Sequence, residues 1–140
     1  MQGAVAAMAD GVGGHKGGRA GAETAVRAFI DGYYAQPETL GVSRAAARSL
    51  EAANSWIAAQ SRVDPALEGM ATTFSTLILS RRNAFILHVG DTRIYRLAGD
   101  SLERLTKDHI LGRGDFAHAL LRAVGFEDAL LFDQGMHSLN

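Results

Sequence analysis

Two apolar runs, MATTFSTLILS (Met70–Ser80) and AFILHVG (Ala84–Gly90), are separated by only three polar residues, Arg81, Arg82 and Asn83. The first run is rich in Thr, Phe, Ile and Leu, which suit a pleated, half-buried surface, and the second reads as another strand. Three residues cannot carry a parallel crossover, so the runs can pair only as antiparallel neighbours. AFILHVG is apolar on both faces, which predicts a central strand. RIYRL and SLERL then flank Ala98-Gly99-Asp100, a second hairpin signal.

Upstream the pattern changes. Ala4 to Ala9 are small and apolar without alternation, predicting a buried strand covered on both faces. Ala22, Ala25, Val26, Phe29, Ile30 and Tyr33 fall on one helix face, and Gln36-Pro37 ends that helix. Ser43 is a candidate cap for a second helix, in which Ala46, Leu50, Ala53 and Ile57 keep the spacing up to Pro65. Trp56 and the aromatics of the first helix read as packing residues. DFAHALLRAVG has helical spacing with a glycine stop at Gly125, and ALLFDQGMHSL reads as a final strand that alternates poorly. The class is α+β, two helices followed by antiparallel strands, within a single domain over residues 1–140.

The charge balance, 14 basic against 15 acidic side chains in 140 residues, contains no long run of one sign. Duplex nucleic acid and a polybasic membrane anchor are therefore poor partners. With no cysteine there is no disulfide, thiolate metal site or thiol nucleophile. No run approaches the roughly 20 apolar residues of a membrane span, and the expectation is a soluble, cytoplasmic chain.

The first apolar run stops at Asp10, and Gly11, Gly13, Gly14, Gly17, Gly18 and Gly21 follow, with His15 and Lys16 among them. Three readings are open. A phosphate cradle requires Gly-Lys-Ser/Thr, whereas Lys16 precedes Gly17; a dinucleotide fingerprint beginning at Gly11 requires glycine where Lys16 stands. A plain turn capped by Asp10 is the second. The third is a hard-metal site. A carboxylate at the tip of a buried strand costs several kcal/mol unpaired, Mg²⁺ and Mn²⁺ prefer oxygen ligands, and the glycines admit an ion close to the backbone.

DGVGGH, MATTFSTLIL, HVGDTRIYRL and LTKDH occur in that order. Together they resemble the metal-dependent serine/threonine protein phosphatases, the PPM or type 2C family, in its bacterial form. Val12 stands for a Met, Ala71 for the Gly before Thr-Thr, and Thr92 for a Ser of the family's motifs. The resemblance implies an α-β-β-α sandwich with paired antiparallel sheets. It also implies two or three Mn²⁺ or Mg²⁺ ions and direct attack of a metal-activated water on phosphoserine or phosphothreonine of a protein substrate. By the same likeness Asp10 would bridge two ions, Gly11 would lend its carbonyl, and Asp91 would lie near a third, weaker ion. His15 would contact the substrate phosphate, with general-acid duty as the less favoured alternative. Lys16 and Arg19 read as a solvated loop face, Asp108 and His109 as a structural hydrogen-bonded pair, and His88 as a core histidine.

The family begins with paired strands carrying an arginine and an Asn-Glu-Asp or Asn-Gln-Asp motif, where this sequence has only Met1-Gln2-Gly3. It continues to a Ser-Asp-Gly strand end and an Asp-Asn pair, whose aspartates complete the metal shell. The sequence therefore resembles a phosphatase domain truncated at both ends, and Asp133 does not replace those aspartates. Weak or single-metal binding and impaired turnover are expected. A catalytically inactive binding or regulatory module is the alternative, and a partner strand or a second copy could complete the sheets.

Overall fold

The computed structural model describes residues 2–12, 16–110 and 120–139. Strand β1 (Ala4–Met8) is followed by helices α1 (Lys16–Ala35) and α2 (Val42–Val63). Strands β2 (Phe74–Ser80), β3 (Asn83–Val89), β4 (Tyr95–Ala98), β5 (Ser101–Arg104) and β6 (Asp133–Ser138) complete the described elements. Two antiparallel sheets result, one in the order β1-β2-β3-β6 and a two-stranded β4-β5 hairpin. The short polar break folds as expected: Ser80 pairs with Asn83, and the register runs back to Phe74 opposite Val89. AFILHVG is the interior strand β3, between β2 and β6.

The two helices lie on one face of the larger sheet. Ala25, Phe29 and Tyr33 of α1 and Ala46, Leu50 and Ile57 of α2 are buried with Phe74, Ile78, Leu87 and Val89 in one apolar cluster. Phe29 meets Phe74 with ring centroids 5.1 Å apart. Each such side chain contributes about 1.5–3 kcal/mol when taken from water, so this cluster fixes how helices and sheet stack. Trp56 is 51% exposed and Tyr34 43%, so neither is the packing residue that its aromatic character suggests.

Four expectations are corrected. Strand β1 is not covered on both faces: Val5 and Ala7 are half-buried while Ala4, Ala6 and Met8 are exposed. It lies at an edge of the sheet, and its alanines are too small to reveal alternation in the sequence. Ser43 does not cap α2, because Gly41 occupies the N-cap and Ser43 is inside the first turn. Helix α1 starts at Lys16, through glycines that predict no helix. There the loop approaches so closely that a Cβ on Gly11 would stand 2.1 Å from the Gly18 carbonyl oxygen. Residues 120–125 are not helical. Leu120 bridges Ile110 and Val124 bridges Thr72, whereas residues 115–119 of the proposed helix lie outside the described residues.

Asn54 explains why that segment leaves helical geometry. Buried in α2, its amide oxygen accepts from the Gly125 N–H at 2.7 Å. Its amide nitrogen donates to the carbonyls of Glu127 at 2.8 Å and Asp128 at 3.2 Å. One side chain thus takes the Gly125 N–H, which a helix would have paired internally, and two carbonyls just beyond it.

His88 is likewise fully paired in the interior. Ser75, its register partner on β2, lies 2.8 Å from Nδ1, and Nε2 lies 2.9 Å from the Lys107 carbonyl. A carbonyl only accepts, so Nε2 carries the proton and Nδ1 accepts from the serine hydroxyl. Burial pushes the His88 pKa below the ordinary histidine value, against the opposing effect of the Lys107 bond.

Two predictions follow from these buried polar groups. Asn54→Ala is expected to destabilise the fold by about 1–3 kcal/mol, read as a lower urea midpoint with unchanged slope. Because His88 titrates lower in the fold than in the unfolded chain, the unfolded state binds more protons as pH falls below about 6.5. The contribution of His88 is therefore complete above that pH and is lost on acidification. Thermal midpoints at pH 8 and pH 5 should differ less in His88→Gln than in the parent chain; an equal drop in both would refute the assignment.

Candidate metal and phosphate site

The loops at one end of the larger sheet are held by Ala71, Thr72 and Thr73, all buried. The Asp10 N–H donates to Thr73 Oγ1 at 3.0 Å, and the Thr73 N–H donates to the Asp10 carbonyl at 3.0 Å. The Val12 N–H reaches the Ala71 carbonyl at 3.0 Å, so Gly11 faces Thr72 as an isolated bridge. Thr72 pairs on its other side with Val124 through two backbone bonds, 3.0 and 2.8 Å. The backbone of the Asp10 loop is thereby fixed to the core, although its strand is only half covered.

Asp10 itself is exposed, two residues beyond the end of β1. The expectation of a carboxylate at the tip of a buried strand is therefore wrong, and no desolvation penalty calls for an ion. No described residue donates a hydrogen bond to the Asp10 carboxylate or to the Gly11 carbonyl, and none forms an ion pair with Asp10. His15 lies outside the described residues, as does the side chain of Lys16. Arg19 is exposed and pairs with Glu23 one helical turn on, at 3.3 Å.

Asp91, also exposed, sits in the bend after β3. Both of its neighbours are tied down. Thr92 Oγ1 lies 2.7 Å from Ser75 Oγ, which bonds His88. The Gly90 carbonyl accepts from the His109 N–H at 2.8 Å, and the Gly90 N–H donates to His109 Nδ1 at 3.0 Å. Asp91, like Asp10, has no ion-pair partner among the described residues, whereas Asp108 and Asp133 do.

Asp108 takes a two-pronged contact from Arg93, 3.1 Å from Nε and 2.6 Å from Nη2. That contact holds the Asp108 carboxyl below the usual carboxylate range. Asp133 accepts from His109 Nε2 at 2.8 Å and lies 3.4 Å from Arg122. Asp108 and His109 are thus not the mutually bonded pair expected: adjacent in sequence, they bind partners on different elements. Thr73 and His109 stand in the MATTFSTLIL and LTKDH motifs, but the sequence does not show that they bind Asp10 and Gly90, nor that Asp133 and Arg122 lie behind His109.

The described residues contain no group of three or more His, Cys, Asp or Glu side chains able to enclose an ion. The Asp10 carboxylate and the Gly11 carbonyl are hard oxygen atoms, the donor type that Mg²⁺ and Mn²⁺ take. Among the described residues no helix is long and apolar enough to cross a membrane.

The chain is similar to known phosphatases in sequence and in fold. It is 36% identical over 104 residues to the serine/threonine protein phosphatase PstP of Mycobacterium tuberculosis, covering 73% of this chain and 20% of that protein. It is 33% identical over 128 residues to the serine/threonine phosphatase stp of Listeria monocytogenes, covering 88% of this chain and 49% of that one. The chain thus spans about half or less of the length of these relatives. The crystal structure of Mycobacterium tuberculosis PstP/Ppp superposes with a TM-score of 0.83 at 26% identity, over 97% of this chain and 63% of that one. A PstP catalytic domain in complex with two manganese ions gives 0.80 at 29% identity, over 97% and 62%. Residues 1–119 match the family model described as protein phosphatase 2C. The antiparallel sheets, the sequence relatives and that match over most of its length agree: the chain belongs to the protein phosphatase 2C family.

Proposed function

We propose that this chain forms part of a metal-dependent phosphatase that hydrolyses phosphoserine and phosphothreonine in protein substrates, using Mn²⁺ or Mg²⁺. The observation that carries the reading is the distribution of charge. Asp108 and Asp133 have arginine or histidine partners, while Asp10 and Asp91, on two anchored loops, have none among the described residues. Two unpaired carboxylates on fixed backbone suit cations brought from solution. Family membership supports the same reading.

In this proposal Asp10 and the Gly11 carbonyl hold the principal ions, and Asp91 serves a further, weaker one. Divalent ions bound there would acidify a water and neutralise charge on the phosphoryl oxygens. The chain's own contribution is positional. Thr73 fixes both the N–H and the carbonyl of Asp10, so the carboxylate projects from a backbone that cannot drift. His15 contacts the substrate phosphate, a role proposed from its motif alone.

One observation favours a second reading, an inactive phosphatase-like binding module: the described residues enclose no ion by themselves. The two readings separate in one experiment. Calorimetric titration with Mn²⁺ and hydrolysis of p-nitrophenyl phosphate and a phosphothreonine peptide are measured on the parent chain and on Asp10→Asn. The expected result is weak metal binding and low turnover in the parent, with kcat/KM at least ~100-fold lower still in the variant and an unchanged thermal midpoint without metal. A folded parent chain that binds the phosphopeptide but neither binds Mn²⁺ nor releases phosphate would favour the module instead.

A further inference from the structure

We infer that His109 is a positioning residue that sets the loop carrying Asp91 against the loop carrying Asp10; this rests on the proposed metal site. His109 is buried and grips both polar groups of Gly90, its N–H on the Gly90 carbonyl and its Nδ1 on the Gly90 N–H. Gly90 must be glycine for this: its φ is +100°, and a Cβ there would stand 2.7 Å from Thr73 Cγ2. The Gly90 backbone is therefore seated against the Thr73 side chain, whose hydroxyl receives the Asp10 N–H at 3.0 Å. A chain of direct contacts runs from His109 through Gly90 and Thr73 to Asp10, and Asp91 is the next residue after Gly90.

The ring is held in one tautomer. Because Nδ1 accepts from a backbone N–H, its proton sits on Nε2, which points at Asp133 Oδ2 2.8 Å away. Arg122 Nη1, 3.5 Å from that same Nε2, faces it donor against donor; its partner is Asp133. Asp133 therefore stands behind His109 as a carboxylate stands behind a ligand histidine, orienting the ring without touching the site. His88 supports the same segment from inside, bonding Lys107 two residues before His109, with the two rings 4.9 Å apart. Together with the Ser75–Thr92 contact, these bonds hold both neighbours of Asp91 and leave its carboxylate alone facing outward.

Three variants of the full chain test the inference: His109→Ala, His109→Asn and Asp133→Ala. Asn places an acceptor where Nδ1 stands; Asp133→Ala leaves the ring and its Gly90 contact but removes the acceptor behind Nε2. Two quantities are read well below each thermal midpoint: amide hydrogen exchange at Gly90 without metal, and Mn²⁺ affinity by calorimetry. His109→Ala is expected to speed Gly90 exchange at least tenfold and to weaken the Asp91-dependent Mn²⁺ step about tenfold. His109→Asn should recover most of both. If His109→Ala does not fold, Asp133→Ala carries the test, with about threefold changes expected in the same two quantities. Faster exchange with unaltered Mn²⁺ affinity, or Mn²⁺ loss that Asn does not rescue, would overturn the inference. A parent chain with protected Gly90 but no Mn²⁺ binding would sink the metal reading, and the inference with it, while leaving the His109–Gly90 contact itself demonstrated.

Discussion

The pairing of Thr73 with Asp10 is the contact on which the geometry of the loop end depends. Strand β1 is an edge strand of small residues, half of them exposed, so apolar burial alone holds it weakly. Beyond Met8 the ladder with β2 stops, and Asp10 would be free to move were its N–H and carbonyl not both taken by Thr73. Each hydrogen bond contributes only about 1 kcal/mol net. The core residues Phe74, Ile78 and Leu87, at about 1.5–3 kcal/mol each, decide that the sheet forms. The threonines decide where its loops end, a smaller energy with a larger consequence for chemistry.

Thr72 extends this control across the segment. Its backbone bridges Gly11 on one side and Val124 on the other, and Asn54 fixes the chain just past Val124. Residues far apart in sequence are thereby brought to one buried edge: Gly11 after the first strand, Thr72 before the second, Val124 near the last. Asn54 in the middle of α2 is thereby linked to the Asp10 loop through the Val124–Thr72–Gly11 backbone pairing.

How much of this the sequence reveals depends on the range of the interaction. The β2–β3 hairpin was legible because three polar residues between two apolar runs permit one pairing only. Both helices were legible from their apolar spacing, since Phe29, Tyr33, Leu50 and Ile57 repeat at helical intervals and are buried. Strand β1 was misread because alanines carry too little hydrophobic contrast to mark an exposed face. The segment 120–125 was misread because its helical spacing is overridden by Asn54, 71 residues away from Gly125. Asp10 stands out as an acid before a glycine run, a local signal, whereas Asp91 is marked only by its motif's resemblance to the family. Thr73, at 63 residues from Asp10, and His109, at 19 from Gly90 and 24 from Asp133, have no periodic signature that links them.

The placement of cations completes the picture. Arg93 is two residues from Asp91 and could have neutralised it, yet its guanidinium lies on Asp108 and on the Tyr95 hydroxyl. Arg122 is engaged with Asp133 in the same way. Redirecting Arg93 onto Asp91 would leave Asp108, the less exposed acid of the pair, without its two-pronged contact, and burial penalises that carboxylate more. The arginines thus lie on Asp108 and Asp133. Asp10 and Asp91 are exposed and have no ion-pair partner among the described residues, so a cation bound there, as proposed, would displace no arginine.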